Sequence, residues 1–404
     1  MSTRSGGGPT LAERTPRSVA EVAETLAAAT AAGRAVRIRG AGTKPWAAVA
    51  VAVARDADVD GDGDAVGDSD TLTLRTTGLS EITAHDPGDM TASLQAGVPL
   101  SVAQARFHAE GQMLALDPPL GVDESATIGG IVASADRGPL AHRYGSPRDL
   151  VVGATVALGD GTIARSGGTV IKNVAGYDIA KLLCGSFGTL GVIVSVNVRL
   201  HPRHPTATAV ATADDPGSLA RAAHTLAALP AELEALDVAW EGSEGSLLAR
   251  CAGPRATQRA ERIARSMRDA GLRQISTDDA DEPRWAAQRA RQRSATSAVL
   301  HLSGAPAALA DVLAAARACG ASVVARAALG EAYLTVEPDQ IPALRGRLGP
   351  GMATVLHDCP APLRSQVVEP WGTTPPAALA LMRAVKARFD PTATCNPHTF
   401  VGGI

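Results

Sequence analysis

Aromatic residues are scarce. They make up 3% of the 404 residues, with Trp 4, Tyr 3 and Phe 4. Cores built from this chain must therefore rest on Ala, Val, Leu and Ile. Neither sign of charge dominates, since 38 Lys and Arg stand against 41 Asp and Glu, a formal charge of -3. That balance gives no global pull toward nucleic acid, and no nucleic-acid partner is expected. No apolar run reaches the about 18 residues of a membrane span. The opening MSTRSGGGPT lacks the apolar stretch of a secretory leader. Cys184, Cys251, Cys319, Cys359 and Cys395 are dispersed with no CxxC spacing. This argues against a zinc knuckle or iron–sulfur loop and fits a reducing cytoplasm. The nine histidines form no HxH or HHxG pair, so no metal site is expected.

What is present is enough apolar residue, 45%, to fill sizeable cores, and a length that suggests two or three domains. Residues 1–13 read as a flexible tail. A helix over 17–32 stops at Gly33 and leads into a strand, 35–39. A second strand is expected over 49–54. The tract 56–70, DADVDGDGDAVGDSD, faintly resembles a calcium loop, but its two frames put Gly67 or Ser69 where a bidentate Glu is required. A solvated insertion is the expectation. Strands follow at 71–75 and 91–97, then a helix over 98–110. The Gly/Pro/Ser-rich passage 117–149 is too long for an ordinary connection and too apolar for simple disorder. A hairpin turns at Gly159-Asp160-Gly161. A short helix at 178–184 and a strand at 192–200 close the unit before Pro202 and Pro205. From 206 Ala-rich helices alternate with strands in two rounds, as in an α+β sandwich with an antiparallel sheet. A Pro-rich linker from 361 leads to a helix, 376–388, and a tail. The expected units are 14–205, 206–360 and 361–404.

Four segments carry candidate chemistry. Arg39-Gly40-Ala41-Gly42-Thr43-Lys44 follows a strand. Its glycines would let backbone N–H groups approach a phosphate, and Lys44 would add positive charge. It is neither a GxGxxG fingerprint nor a Walker loop, and a plain turn explains it equally well. In Ala126-Thr127-Ile128-Gly129-Gly130-Ile131 small residues would admit a flat ring or a pyrophosphate, or simply pack tightly. Arg143-Tyr144-Gly145-Ser146-Pro147 reads as a site lip or a surface turn. Lys172-Asn173-Val174-Ala175-Gly176-Tyr177-Asp178, continuing to Gly185-Ser186-Phe187-Gly188-Thr189-Leu190-Gly191-Val192-Ile193, sets polar groups among glycines. Such groups need partners, which a ligand or structural hydrogen bonds would supply.

Taken in order, RGAGTK, ATIGGIVA, RYGSPRDLVVGATVALGDGTI, NVAGYDIAKLLCGSFGTLGVI and FDPTATCNP resemble the vanillyl-alcohol-oxidase or PCMH type of flavin protein. Within it the chain is most similar to the FAD-binding subunits of bacterial glycolate oxidases. The resemblance implies an α+β fold: a PCMH-type FAD-binding domain of two α+β subdomains, then a smaller α+β cap domain with an antiparallel sheet, with the C-terminal segment returning toward the FAD domain. It implies FAD contacts at Arg39, Gly40, Gly42, Thr43 and Lys44. It further implies them at Thr127, Gly129, Gly130 and Gly145, and at Gly191, Val192 and Ile193 near the adenine. Asn173, Gly176 and Asp178 would organise the pocket wall. Some relatives attach the flavin through a His in the first glycine loop. Thr43 and Lys44 stand there, so a noncovalent FAD is implied.

The activity implied is oxidation of a small 2-hydroxy acid, glycolate, to a 2-oxo acid. The expected partners are a larger FAD-linked oxidase subunit and an iron–sulfur subunit, with the complex cytoplasmic or peripheral at the inner face of the membrane. A stand-alone, D-lactate-dehydrogenase-like enzyme and a structural subunit that has lost FAD are the alternatives. No catalytic base is evident. His357 reads as an ordinary polar residue, and Arg289 and Arg293 read as a solvated helix face.

Overall fold

A computed structural model of the protein describes residues 13–44, 71–168 and 177–404. The acidic tract, the strand expected over 49–54, Asn173 and Gly176 lie outside them. The fold is α+β, with antiparallel sheets dominating.

The helix Val19–Ala31 begins at Ser18, whose hydroxyl accepts from the Glu21 amide at 3.2 Å and so satisfies one of the open donors of the first turn. It buries Val22, Leu26 and Ala29. Gly33, at φ +67°, ends it, in a conformation that glycine adopts without a Cβ clash. Beside it lies a parallel sheet in which Leu72–Arg75 runs between Glu13–Arg14 and Val36–Arg39.

A second sheet is antiparallel, in the order Ile82–Asp86, Thr91–Gln95, Val192–Arg199, Val151–Ala157, Ile163–Gly167. Its central strand joins two cores. Val192 and Val194 pack with Val22 and Leu26. Ile193, Val196 and Val198 pack with Ile128, Ile131 and Val132 of the helix Ile128–Ser134.

Residues beyond 205 build one eight-stranded antiparallel sheet. Strand side chains alternate between faces, and here the faces differ in kind. Leu236 and Val238, Val323 and Ala325, Leu334, Leu300 and Leu356 point into a core closed by the helices Pro216–Ala228, Ala256–Asp269 and Leu309–Ala318. Leu300 is fully buried there, so truncating it to Ala would cost roughly 2–5 kcal/mol. The intervening residues, among them Asp237, Arg326, Tyr333 and His301, occupy the other face. The helix Glu282–Ala290 covers part of that face through Trp285, which packs with Val210, Ala235 and Leu248. The first region of the chain covers much of the remainder.

The C-terminal helix Pro376–Phe389 buries Lys386, a polar residue, in preference to an apolar one. Its ammonium donates to the carbonyls of Thr189 (2.7 Å) and Cys395 (2.9 Å) and pairs with Asp390 at 2.6 Å. The tail then bridges to Val36. The Ile38 amide donates to Asn396 Oδ1 at 2.7 Å, and Asn396 Nδ2 donates to the Phe187 carbonyl at 2.7 Å. One amide thus ties together the strand that enters the first glycine loop and the Phe187-Gly188 turn.

Candidate functional site

Two of the glycine segments meet. A Cβ on Gly40 would collide with the Thr127 hydroxyl, and one on Gly121 would come within 2.6 Å of the Thr43 side chain. The loop Arg39–Lys44 therefore lies against 121–127 by backbone approach. Gly42 differs: at φ +76° it is exposed, and nothing lies within 4 Å of a Cβ placed there. Thr127 caps the helix Ile128–Ser134 by accepting from the Gly130 amide at 3.3 Å. Gly130 is exposed, whereas Gly129 is buried with its missing Cβ facing Ala96 at 2.6 Å. Gly130 is thus exposed with the Thr127 hydroxyl 3.1 Å from a Cβ placed on it, and Gly129 permits close packing.

The remaining sequence candidates fall elsewhere. Gly145, φ +79°, packs on Asp149, and its neighbour Tyr144 donates to Glu234 Oε1 at 3.0 Å. Gly191 approaches the Ala157 carbonyl. Val192 and Ile193 pair with Ala157 and Val156 in the five-stranded sheet and bury their side chains. Asp178 is exposed and pairs with Lys181 at 3.1 Å.

Lys44 leads from the glycine loop into a buried polar seam between the first region and the polar face of the large sheet. Its ammonium pairs with Asp136 Oδ2 at 3.0 Å. The same oxygen accepts from Arg293 Nη2 at 3.1 Å, and Arg293 Nη1 donates to His357 Nε2 at 2.9 Å. His357 Nε2 stands 3.9 Å from Asp136 Oδ1. Arg137 forks onto Glu331, with its Nε 2.9 Å from Oε2. Tyr333 lies edge-on to His357 at 4.8 Å and tilted over His301 at 5.0 Å. Arg326 pairs with Asp237 at 3.1 Å and sits over the Tyr333 ring.

The sequence reading left Arg289 and Arg293 on a solvated helix face. The structure turns both inward. The helix ends at Ala290, Arg293 lies beyond it in the seam, and Arg289 pairs with Glu282 and, at 3.8 Å, with Asp117. His357 is the extra residue of a β-bulge. Val299 pairs with Asp358 and Leu300 with Leu356, so His357 has no partner on the neighbouring strand. Bulges re-aim a side chain at just such places.

Burial sets the protonation states. It lowers Lys44 to about 8, with Asp136 opposing the fall. Burial alone would raise Asp136, but Lys44 and Arg293 together hold it below the usual carboxylate value. Burial, then the charges of Lys44 and Arg293, push His357 well below the ordinary histidine range. Burial takes His301 down to about 4 and Asp117 up to about 7. His357 is thus neutral at pH 7. Its Nε2 accepts from Arg293, which places the ring proton on Nδ1.

Residues 10–167 match the FAD binding domain family. This part of the chain is an FAD-binding domain. FAD is accordingly the cofactor, as the motif set implied. The chain is 41% identical over 122 residues to glycolate oxidase subunit GlcE of Escherichia coli, covering 30% of this chain and 35% of that protein. It is 34% identical over 170 residues to glycolate oxidase subunit GlcD of Bacillus subtilis, covering 41% and 36%. It is 33% identical over 146 residues to a mitochondrial cytochrome-linked D-lactate dehydrogenase of Saccharomyces cerevisiae, covering 36% and 24%. The chain thus spans about a third of these relatives, or less. The fold is shared with alkyldihydroxyacetonephosphate synthase, at TM-score 0.65 and 14% identity, over 95% of this chain and 75% of that one. Among the described residues no helix is long and apolar enough to cross a membrane, and no three His, Cys, Asp or Glu are grouped to hold a metal ion.

The residues of the FAD-binding domain fit the cofactor. Gly42 and Gly130 are exposed glycines whose backbone a diphosphate would approach closely, and Lys44 would supply a cation from the same loop as Gly42. At the far end of both segments, Asp136 Oδ1 and His301 Nε2 are buried polar atoms without a hydrogen-bond partner, the kind of vacancy that a polar ligand satisfies.

Proposed function

We propose that the chain is the FAD-binding subunit of a glycolate-oxidase-type complex and that it takes part in oxidising a small 2-hydroxy acid at the seam. One observation carries this reading. Lys44 belongs at once to the glycine loop and to the histidine–arginine cluster, so a cofactor lying on the loop ends at that cluster. Gly40, Gly42, Thr43 and Lys44 hold the diphosphate, with Thr127 and Gly130 beside them. Arg293 receives the substrate carboxylate, because a guanidinium recognises that group with two parallel hydrogen bonds. The hydroxyl of the substrate then lies toward His357, whose neutral Nε2 takes the hydroxyl proton. Bound in the cradle, FAD supplies the acceptor for the hydride that leaves C2, and the product is the 2-oxo acid. Tyr333 and His301 wall the seam and exclude water.

The partial identity to two different glycolate oxidase subunits supports the place in a complex with a larger FAD-linked subunit; an iron–sulfur subunit that passes electrons onward is part of the proposal alone. A stand-alone enzyme resembling D-lactate dehydrogenases is the second reading, favoured by the seam holding both a carboxylate-binding cation and a base on one chain. Purification alone and with the partner subunits decides. Flavin colour with dye reduction by glycolate only in the complex supports the subunit. Turnover by the isolated chain supports the stand-alone enzyme, and a colourless chain that still assembles contradicts both.

A further inference from the structure

Two buried carboxylates elsewhere in this protein are saturated. Asp390 accepts from Lys386 and from the amides of Thr394 and Cys395 on its two oxygens. Asp281 takes Thr206, Thr208 and both ends of the Arg250 fork. Asp136 is not, and neither are Asp117 and Asp237, each of which also keeps one oxygen without a donor; Asp136 is set apart by the two cations that share its other oxygen. Both its cations crowd onto Oδ2, while Oδ1 is buried without a donor. Arg293 is equally ill-used, because its fork is split between one carboxylate oxygen and the His357 ring. A pair built for stability would place the fork on both oxygens.

Charge points the same way. Asp136 is faced by Lys44 from the glycine loop, by Arg137 from its own segment, and by Arg293, His357, His301 and Tyr333 from the second region. Among the described residues the seam's cations Lys44, Arg137, Arg293 and Arg326 pair with three carboxylates, Asp136, Glu331 and Asp237, so Asp136 serves two cations at once.

We propose that Asp136 is a resident stand-in for the substrate carboxylate. It occupies the anion position between Lys44 and Arg293, and an incoming small carboxylate displaces it. When Arg293 turns its fork to the new anion, it lets go of His357 Nε2, so the base is uncovered only when substrate is present. Asp136 follows Ala135, which ends the helix Ile128–Ser134 in the left-handed conformation, so the carboxylate can move without breaking a strand pair. This inference rests on the seam being the substrate site.

The test is calorimetric binding of oxalate, a dicarboxylate with no hydrogen to give up, to the full-length chain with and without FAD. Asp136→Asn keeps shape and removes charge. If Asp136 competes with the ligand, this variant binds oxalate at least about tenfold more tightly than wild type. If Asp136 only props up Lys44 and Arg293, binding weakens or stays the same, and the proposal is overturned, as it is if neither protein binds oxalate. Should the variant not fold, Asp136→Ser carries the same test: oxalate binding tighter than in wild type is expected, and binding that is weaker or unchanged overturns the proposal. FAD content is read separately from the visible spectrum, so loss of the cofactor reading and loss of this one are distinguishable.

Discussion

The cofactor side and the seam are built on opposite principles. The cradle is backbone: glycines at Gly40, Gly42, Gly121 and Gly130, with one lysine at its edge. The seam is side chain: arginines, histidines, a tyrosine and carboxylates on the polar face of a sheet whose other face is aliphatic. A diphosphate can be bound by main-chain N–H groups, which only need room. Carboxylate recognition and proton transfer need specific side chains at fixed distances. Substitutions in the two regions should therefore fail in different ways.

The largest effect should come from Gly42→Asp. It puts a side chain on a φ of +76° and a negative charge beside the diphosphate. FAD per chain, measured from the released flavin, should fall from about one to near zero. Occupancy near wild type would break the assignment of the loop. His357→Gln should do the reverse. FAD stays bound, while kcat/KM for the hydroxy acid drops by about 10²–10⁴ in stopped-flow flavin reduction, the usual worth of a positioned base. Asn396→Ala should blur the contrast, since its two hydrogen bonds hold the strand that enters the glycine loop. Losing both hydrogen bonds should cost about 2–4 kcal/mol, seen as a lower Tm together with weaker FAD retention.

The smallest effect is on pH dependence. Asp117 is raised by burial to about 7, so the folded state holds a proton there that the unfolded chain has lost above its ordinary carboxyl value. Stability from this group is present at pH 4 and lost as pH rises through about 7. Asp117→Asn should flatten the fall in Tm between pH 5 and 8. An equally steep fall in the variant would show that Asp117 is not its source.

The proposed cradle can be picked out in the sequence because it is local. Gly40, Gly42 and Gly130 sit in short segments beside a strand and a helix, and local backbone demands select glycine. Even so, composition did not distinguish exposed Gly130 from Gly129, whose role is to let Ala96 approach. The seam was not legible. Lys44, Asp136, Arg293 and His357 are far apart in the chain and meet only through tertiary packing. A signal was present nonetheless. EAYLTV alternates polar and apolar residues, and His301 in AVLHLS and Asp237 in LEALDVAWE stand between core residues two apart; these polar members mark the face that meets the FAD-binding domain. His357 escaped this rule because its bulge breaks the alternation. Arg293 escaped because its helix stops at Ala290.

The claim that cradle and seam form one site is tested most directly by titrating oxalate into the FAD-loaded chain while recording the visible flavin spectrum. A saturable spectral shift is predicted in wild type, absent from an Arg293→Gln variant that keeps its FAD. A fully occupied flavin whose spectrum does not move when oxalate binds would place the two regions apart and contradict the account.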